Sequence, residues 1–179
     1  DNRVTCFFKD KTGYVWIGTE NGLNRFDGSN YVIYRPSSNK KKNLSNAFIT
    51  SVAQDAKENI WVSTTRGLNR IDAATDTTEI FLPDNKKELN SLPTDRIWDV
   101  YPANDTTVWI ATDAKPFVKY NPVTRTFFYY DFKGYLQKNR IGYITGYHTI
   151  FKIQPLSETE LLLAATDGIF SFNTTTGNF

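Results

Sequence analysis

Methionine is absent, cysteine and histidine occur once each, and no apolar stretch approaches the ~20 residues of a membrane-spanning helix. The single Cys6 excludes an internal disulfide, and in an alternating segment it reads as a small apolar side chain rather than a reactive one. One cysteine with one histidine falls short of the three or four ligands of a zinc site. No spacing brings His148 to a Ser/His/Asp or Cys/His arrangement. No secretory signal is read at the start of the chain. A first residue of Asp1 and the absence of methionine imply a processed or excised piece. Charge of one sign is missing too: 21 Lys and Arg against 19 Asp and Glu leave +2. Such balance argues against nucleic acid or a membrane surface as partner. Helical spacing of apolar residues is also missing, so no helix is expected.

What is there is a repeated phrase. Val15-Trp16-Ile17-Gly18-Thr19 with Gly22-Leu23-Asn24-Arg25-Phe26-Asp27 returns as Ile60-Trp61-Val62-Ser63-Thr64 with Gly67-Leu68-Asn69-Arg70-Ile71-Asp72. Blurred copies read Val108-Trp109-Ile110-Ala111-Thr112 with Phe117-Val118-Lys119-Tyr120-Asn121, and Leu162-Leu163-Ala164-Ala165-Thr166 with Gly168-Ile169-Phe170-Ser171-Phe172-Asn173. Self-similarity at such a period marks a supersecondary unit that cannot bury its apolar face alone.

Around each phrase the apolar residues alternate, and the runs are short, β-branched and aromatic. They fall at 4–9, 14–19, 23–26 and 31–34; at 48–54, 59–64, 68–71 and 78–82; at 96–102, 107–112, 117–120 and 126–130; and at 149–154, 160–166 and 169–172. Turn residues such as Asp10-Lys11-Thr12-Gly13 and Asp27-Gly28-Ser29-Asn30 separate them. Four antiparallel strands per repeat predict an all-β chain of β-propeller blades. The blades run over about 3–46, 47–95, 96–147 and 148–179, the last one incomplete, and together form an open, partial propeller. Trp16, Trp61 and Trp109 are then blade packing. Small residues at Gly18, Ser63 and Ala111 suit crowding near the axis. Glycines at 22, 67 and 168 suit tight hairpins.

Units one and two resemble the two-component regulator propeller repeat, on the Trp-Ile-Gly-Thr and Gly-Leu-Asn-Arg-Phe-Asp phrases. The resemblance implies a segment of the periplasmic sensor region of a Bacteroidetes hybrid two-component protein. Its parent would be a membrane-anchored sensor histidine kinase with phosphorelay and carbohydrate sensing. It also implies that this segment itself is no enzyme and carries no cofactor or metal.

Recurrence at equivalent places assigns Asp10, Asp27, Asp55 and Asp72 to turn capping rather than to glycosidase chemistry. Residues outside the repeat are the better candidates for ligand contact. Trp98 stands in a first strand, either as channel filler or as a binding platform. Tyr135, Lys138 and Arg140 combine a ring with cations, and Tyr147 and His148 follow. Rings with basic groups suit an acidic or neutral oligosaccharide, and equally an inter-blade loop covering a sheet edge. Three functions remain open: a sensor of a glycan-derived ligand, an interaction scaffold that self-associates through its edges, and a glycan-acting propeller enzyme. The last lacks convergent carboxylates and histidines.

Overall fold

A computed structural model describes residues 3–38, 41–84, 90–113, 116–139 and 148–179. It contains four antiparallel sheets in chain order. The first is β1 (Val4–Lys9), β2 (Val15–Thr19), β3 (Gly22–Phe26) and β4 (Tyr31–Tyr34). The second is β5 (Ile49–Gln54), β6 (Ile60–Thr64), β7 (Gly67–Ile71) and β8 (Thr78–Phe81). The third is β9 (Ile97–Asn104), β10 (Thr107–Thr112), β11 (Phe117–Asn121) and β12 (Thr126–Tyr130). A helix, α1 (Phe132–Asn139), precedes β13 (Ile150–Pro155), β14 (Glu160–Ala165) and β15 (Gly168–Asn173). Among the described residues the chain is all-β apart from that helix, and the sheets form propeller blades in an open arc.

The arc is built from the inside out. First strands lie against one another, β1 on β5, β5 on β9 and β9 on β13, and each sheet then runs outward strand by strand. Every inner pair carries an irregularity near the start of its first strand, between Val4 and Cys6, Ile49 and Ser51, Ile97 and Asp99, and Ile150 and Lys152. A bulge repeated at one place adds twist at the axis. There the backbones crowd: a Cβ built on Gly18 would collide with Cys6 Sγ and Ile49 Cγ2. Gly22, Gly67 and Gly168 open the third strands at φ +124°, +117° and +135°, a region that only glycine enters freely.

Between sheets the same two rows meet each time. The row of Trp16, with Leu23 and Tyr34, packs on Val52, Ile60 and Val62 of the second sheet. Trp61 and Leu68 pack on Val100, Val108 and Ile110. Trp109 and Phe117 pack on Ile153, Leu161, Leu163 and Phe172. All three tryptophans are 2% exposed or less, so they are the packing between blades.

Two expectations are corrected. The stretch after β12 is helical, not loop. Asp131 caps it, accepting from Gly134 N through Oδ1 (2.9 Å) and from Tyr135 N through its carbonyl (3.1 Å). Phe132 and Leu136, one turn apart, bury the same face. Eight residues containing Gly134 are too short and too poor in helix formers to announce themselves in sequence. The fourth copy is also offset by one. Leu162 pairs with Gln154 as Trp16 pairs with Phe8, so Leu162, not Leu163, stands at the tryptophan place.

Candidate functional site

Of the ligand-contact candidates, Arg140 and Tyr147 lie outside the described residues. Trp98 and His148 reach one polar face, at the ends of the strands where β10 leads into β11. Trp98 packs edge-on against Phe151 with centroids 5.4 Å apart, and its indole N–H points at Asp113 Oδ1 at 3.5 Å. Asp113 also accepts from Thr149 Oγ1 (2.7 Å) and Arg96 Nη1 (3.3 Å), tying the third sheet to the fourth. His148 is buried, with Nδ1 2.7 Å from Asp167 Oδ2. Tyr135 and Lys138 sit apart from these two on α1, where Tyr135 packs against Phe170 and Phe179. The four described candidates therefore do not form one constellation. Asp113 and Asp167 escaped the sequence reading, although Thr-Asp follows the second strand at 112–113 and at 166–167.

At the axis, register places Cys6, Ser51, Asp99 and Lys152 at one equivalent position. Buried Asp99 accepts from Ser51 Oγ and Ile153 N (2.9 Å) and pairs with Lys152 Nζ at 3.0 Å. Burial pushes the Cys6 thiol above its ordinary value. Among the described residues no group of three or more His, Cys, Asp and Glu could hold a metal ion.

On the side of the strand 1–2 turns, each pair of sheets leaves a cleft, and the tryptophan row decides its contents. In the first, Trp16 Nε1 donates to Asp10 Oδ2 (2.7 Å), while Asp10 Oδ1 takes Thr12 N (3.0 Å) and Tyr14 N (2.9 Å). Arg25, opposite Trp16, lies 5.0 Å from the Tyr14 ring centroid and 5.5 Å from that of Trp16. It pairs across the interface with Asp76 (3.6 Å). Asp76 also accepts from Tyr34 Oη (2.7 Å), and burial first, then that bond, pushes the Tyr34 hydroxyl far above its ordinary value. These groups leave about 140 Å3.

The second cleft repeats the scheme. Trp61 Nε1 donates to Asp55 Oδ2 (2.9 Å), Arg70 lies 5.8 Å from the Trp61 ring, and Glu79 bridges Arg70 (3.1 Å) to Arg125 of the next sheet. About 230 Å3 remains.

In the third cleft the acids of the repeat are gone, although Glu158 lines it. Counted two residues beyond the partner of the tryptophan, Ala103 replaces Asp10 and Asp55; the ladder is irregular here, and Asn104, paired with Thr107, caps the turn instead. Phe128, opposite Lys119, stands where Glu79 stands opposite Arg70. Gly177, whose N–H bonds to Asn173 O as that of Asp76 bonds to Asp72 O, matches Asp76 and Arg125 in turn position. Its φ of +73° follows +57° and +58° at those two residues. A Cβ there would meet the Tyr130 ring at 2.7 Å. The cleft opens to about 740 Å3.

Residues 1–21 and 43–66 match the model of the two component regulator propeller. No curated protein matches the chain. The fold is similar to that of the extracellular domain assigned to the hybrid two component system BT3049 of B. thetaiotaomicron. The TM-score is 0.81 at 19% identity, covering 99% of this chain and 24% of that one. It also resembles YCF48 from Cyanidioschyzon merolae (TM-score 0.60, 14% identity, 94% and 49% covered). A third likeness is to a catalytically inactive virginiamycin B lyase from Staphylococcus aureus (TM-score 0.53, 12% identity, 95% and 55% covered). At these identities the likeness shows the propeller fold alone, and the chain spans about a quarter of the first relative.

Proposed function

We propose that this chain, which carries two-component regulator propeller repeats, is a non-catalytic part of the sensor region of a membrane-anchored hybrid two-component system. The region lies in the periplasm and responds to a glycan-derived ligand, passing the signal to a kinase and phosphorelay. The match of the repeat model at 1–21 and 43–66 carries this reading, and the likeness to an extracellular domain over 99% of the chain agrees with it. Among the described residues no helix is long and apolar enough to cross a membrane, which fits a segment outside the bilayer. Titration calorimetry against plant and host glycan oligomers tests it. Saturable heat with one glycan class supports sensing; no heat with any of them removes it for this segment.

A second reading, a scaffold that associates through its edges, is favoured by Phe7 and Ile169, which are 70% and 69% exposed on the first and last sheets. Tight self-association without glycan heat would select it.

A further inference from the structure

We propose that the cleft between the third and fourth sheets binds a small carboxylated saccharide whose carboxylate takes the place of the acid missing at position 103. The argument starts from what the repeat leaves behind. Trp16 and Trp61 each give their indole N–H to an aspartate six residues earlier, but Trp109, equally buried, has Ala103 six residues earlier and no acceptor among the described residues. Arg25 and Arg70 each have a carboxylate partner, but Lys119 has no ion-pair partner among the described residues. Lys119 Nζ lies 5.9 Å from the Trp109 ring centroid, and both residues line the cleft. An indole N–H that lines the cleft and an ammonium, both without their usual acid, form a receptor for an incoming one.

The room is suitable. About 740 Å3 falls within the range of small-ligand pockets, while the equivalent clefts, at about 140 and 230 Å3, are filled by the protein's own side chains. The walls are polar and rich in hydroxyls, with Tyr101, Thr107 and Thr159 among them, which suits a sugar better than an aliphatic acid. Glu158, the carboxylate on the rim, accepts from sugar hydroxyls and disfavours ligands with more than one or two acid groups.

The inference rests on the sensor reading and names the chemistry of its ligand. The test is calorimetry of the chain with digalacturonate, with galactobiose as the neutral analogue and acetate as the bare carboxylate. Digalacturonate is expected to bind, and galactobiose and acetate to bind at least about tenfold more weakly. Ala103→Asp restores the repeat's own acid, so it is expected to weaken digalacturonate at least about tenfold while holding or raising the melting temperature. Lys119→Gln is expected to weaken it similarly, and decides the matter if Ala103→Asp folds poorly. No heat with digalacturonate, equal affinity for galactobiose or acetate, or undiminished binding by both variants would each overturn the proposal. A glycan that binds yet ignores both substitutions removes this cleft and leaves the sensor reading standing.

Discussion

At the scale of single residues, the aspartates of the strand 1–2 turns do two jobs with two oxygens. In Asp10 and Asp55 one oxygen caps the turn and the other fixes the tryptophan ring that cements the next blade. Only the first job was legible in sequence, because it is local. The second joins residues six apart and exists only once the hairpin has turned. Asp55→Asn keeps the shape but weakens a charge-assisted bond to a fully buried indole, and is expected to cost about 1.5–3 kcal/mol in urea unfolding. A double-mutant cycle with Trp61→Phe should show most of that loss as coupling between the two residues. Asp72 makes a related prediction in pH. The Thr75 hydroxyl, then its backbone N–H, hold the Asp72 carboxyl below its ordinary value of 3.8. The folded state therefore gains stability from the ionised form above 3.8 and loses it as pH falls through the lowered value. Replacing Asp72 with Asn should flatten that part of the acid limb in chemical unfolding measured from pH 5 downward.

At the scale of elements, the strands were readable and the helix was not. The fifteen described strands fall within two residues of where alternation and turn residues put them, since short β-branched and aromatic runs lie between turn residues. The fourth copy was misplaced by one residue because Leu161, Leu162 and Leu163 are chemically alike, and only the pairing of Leu162 with Gln154 fixes the register. Helix α1 draws its stability from outside itself: Phe132 and Leu136 join the cluster of Trp109, Phe117 and Phe172, and only the Asp131 cap is local. Asp131→Ala is expected to cost about 1 kcal/mol, and hydrogen exchange should show the loss confined to α1. Leu136→Ala should cost about 2–5 kcal/mol and loosen the interface of the third and fourth sheets as well. The candidate site was legible only in fragments. Its decisive feature, an acid absent at Ala103, can be counted six residues before Trp109, but that such an acid holds the indole shows only in the folded hairpins of the first two sheets.

At the scale of the whole molecule, each interface sets the tryptophan row of one sheet against the aliphatic row of the next, so the arc has two unlike ends. The first sheet presents the cross-strand row Phe7, Ile17, Asn24 and Ile33, whose counterparts Val52 and Val62 are buried in the second. The last sheet presents the other row, but with Leu162 at the tryptophan place and Ser171 at the arginine place. Phe151 and Ile169 stay exposed beside it. In the scaffold reading, unlike faces of this kind would meet head to tail, giving rings or open chains of copies rather than a two-fold pair. Because the last sheet lacks the indole and guanidinium that hold the internal interfaces, such contacts should be weaker than those within the chain. Sedimentation velocity is expected to show association that grows with concentration and has no stop at the dimer. Phe7→Ser and Ile169→Ser act on opposite partners of the same contact, so either alone should shift the distribution toward the monomer, and combining them should add little. Additive effects of the two substitutions would mean instead that the ends meet separate surfaces and that the head-to-tail geometry is wrong.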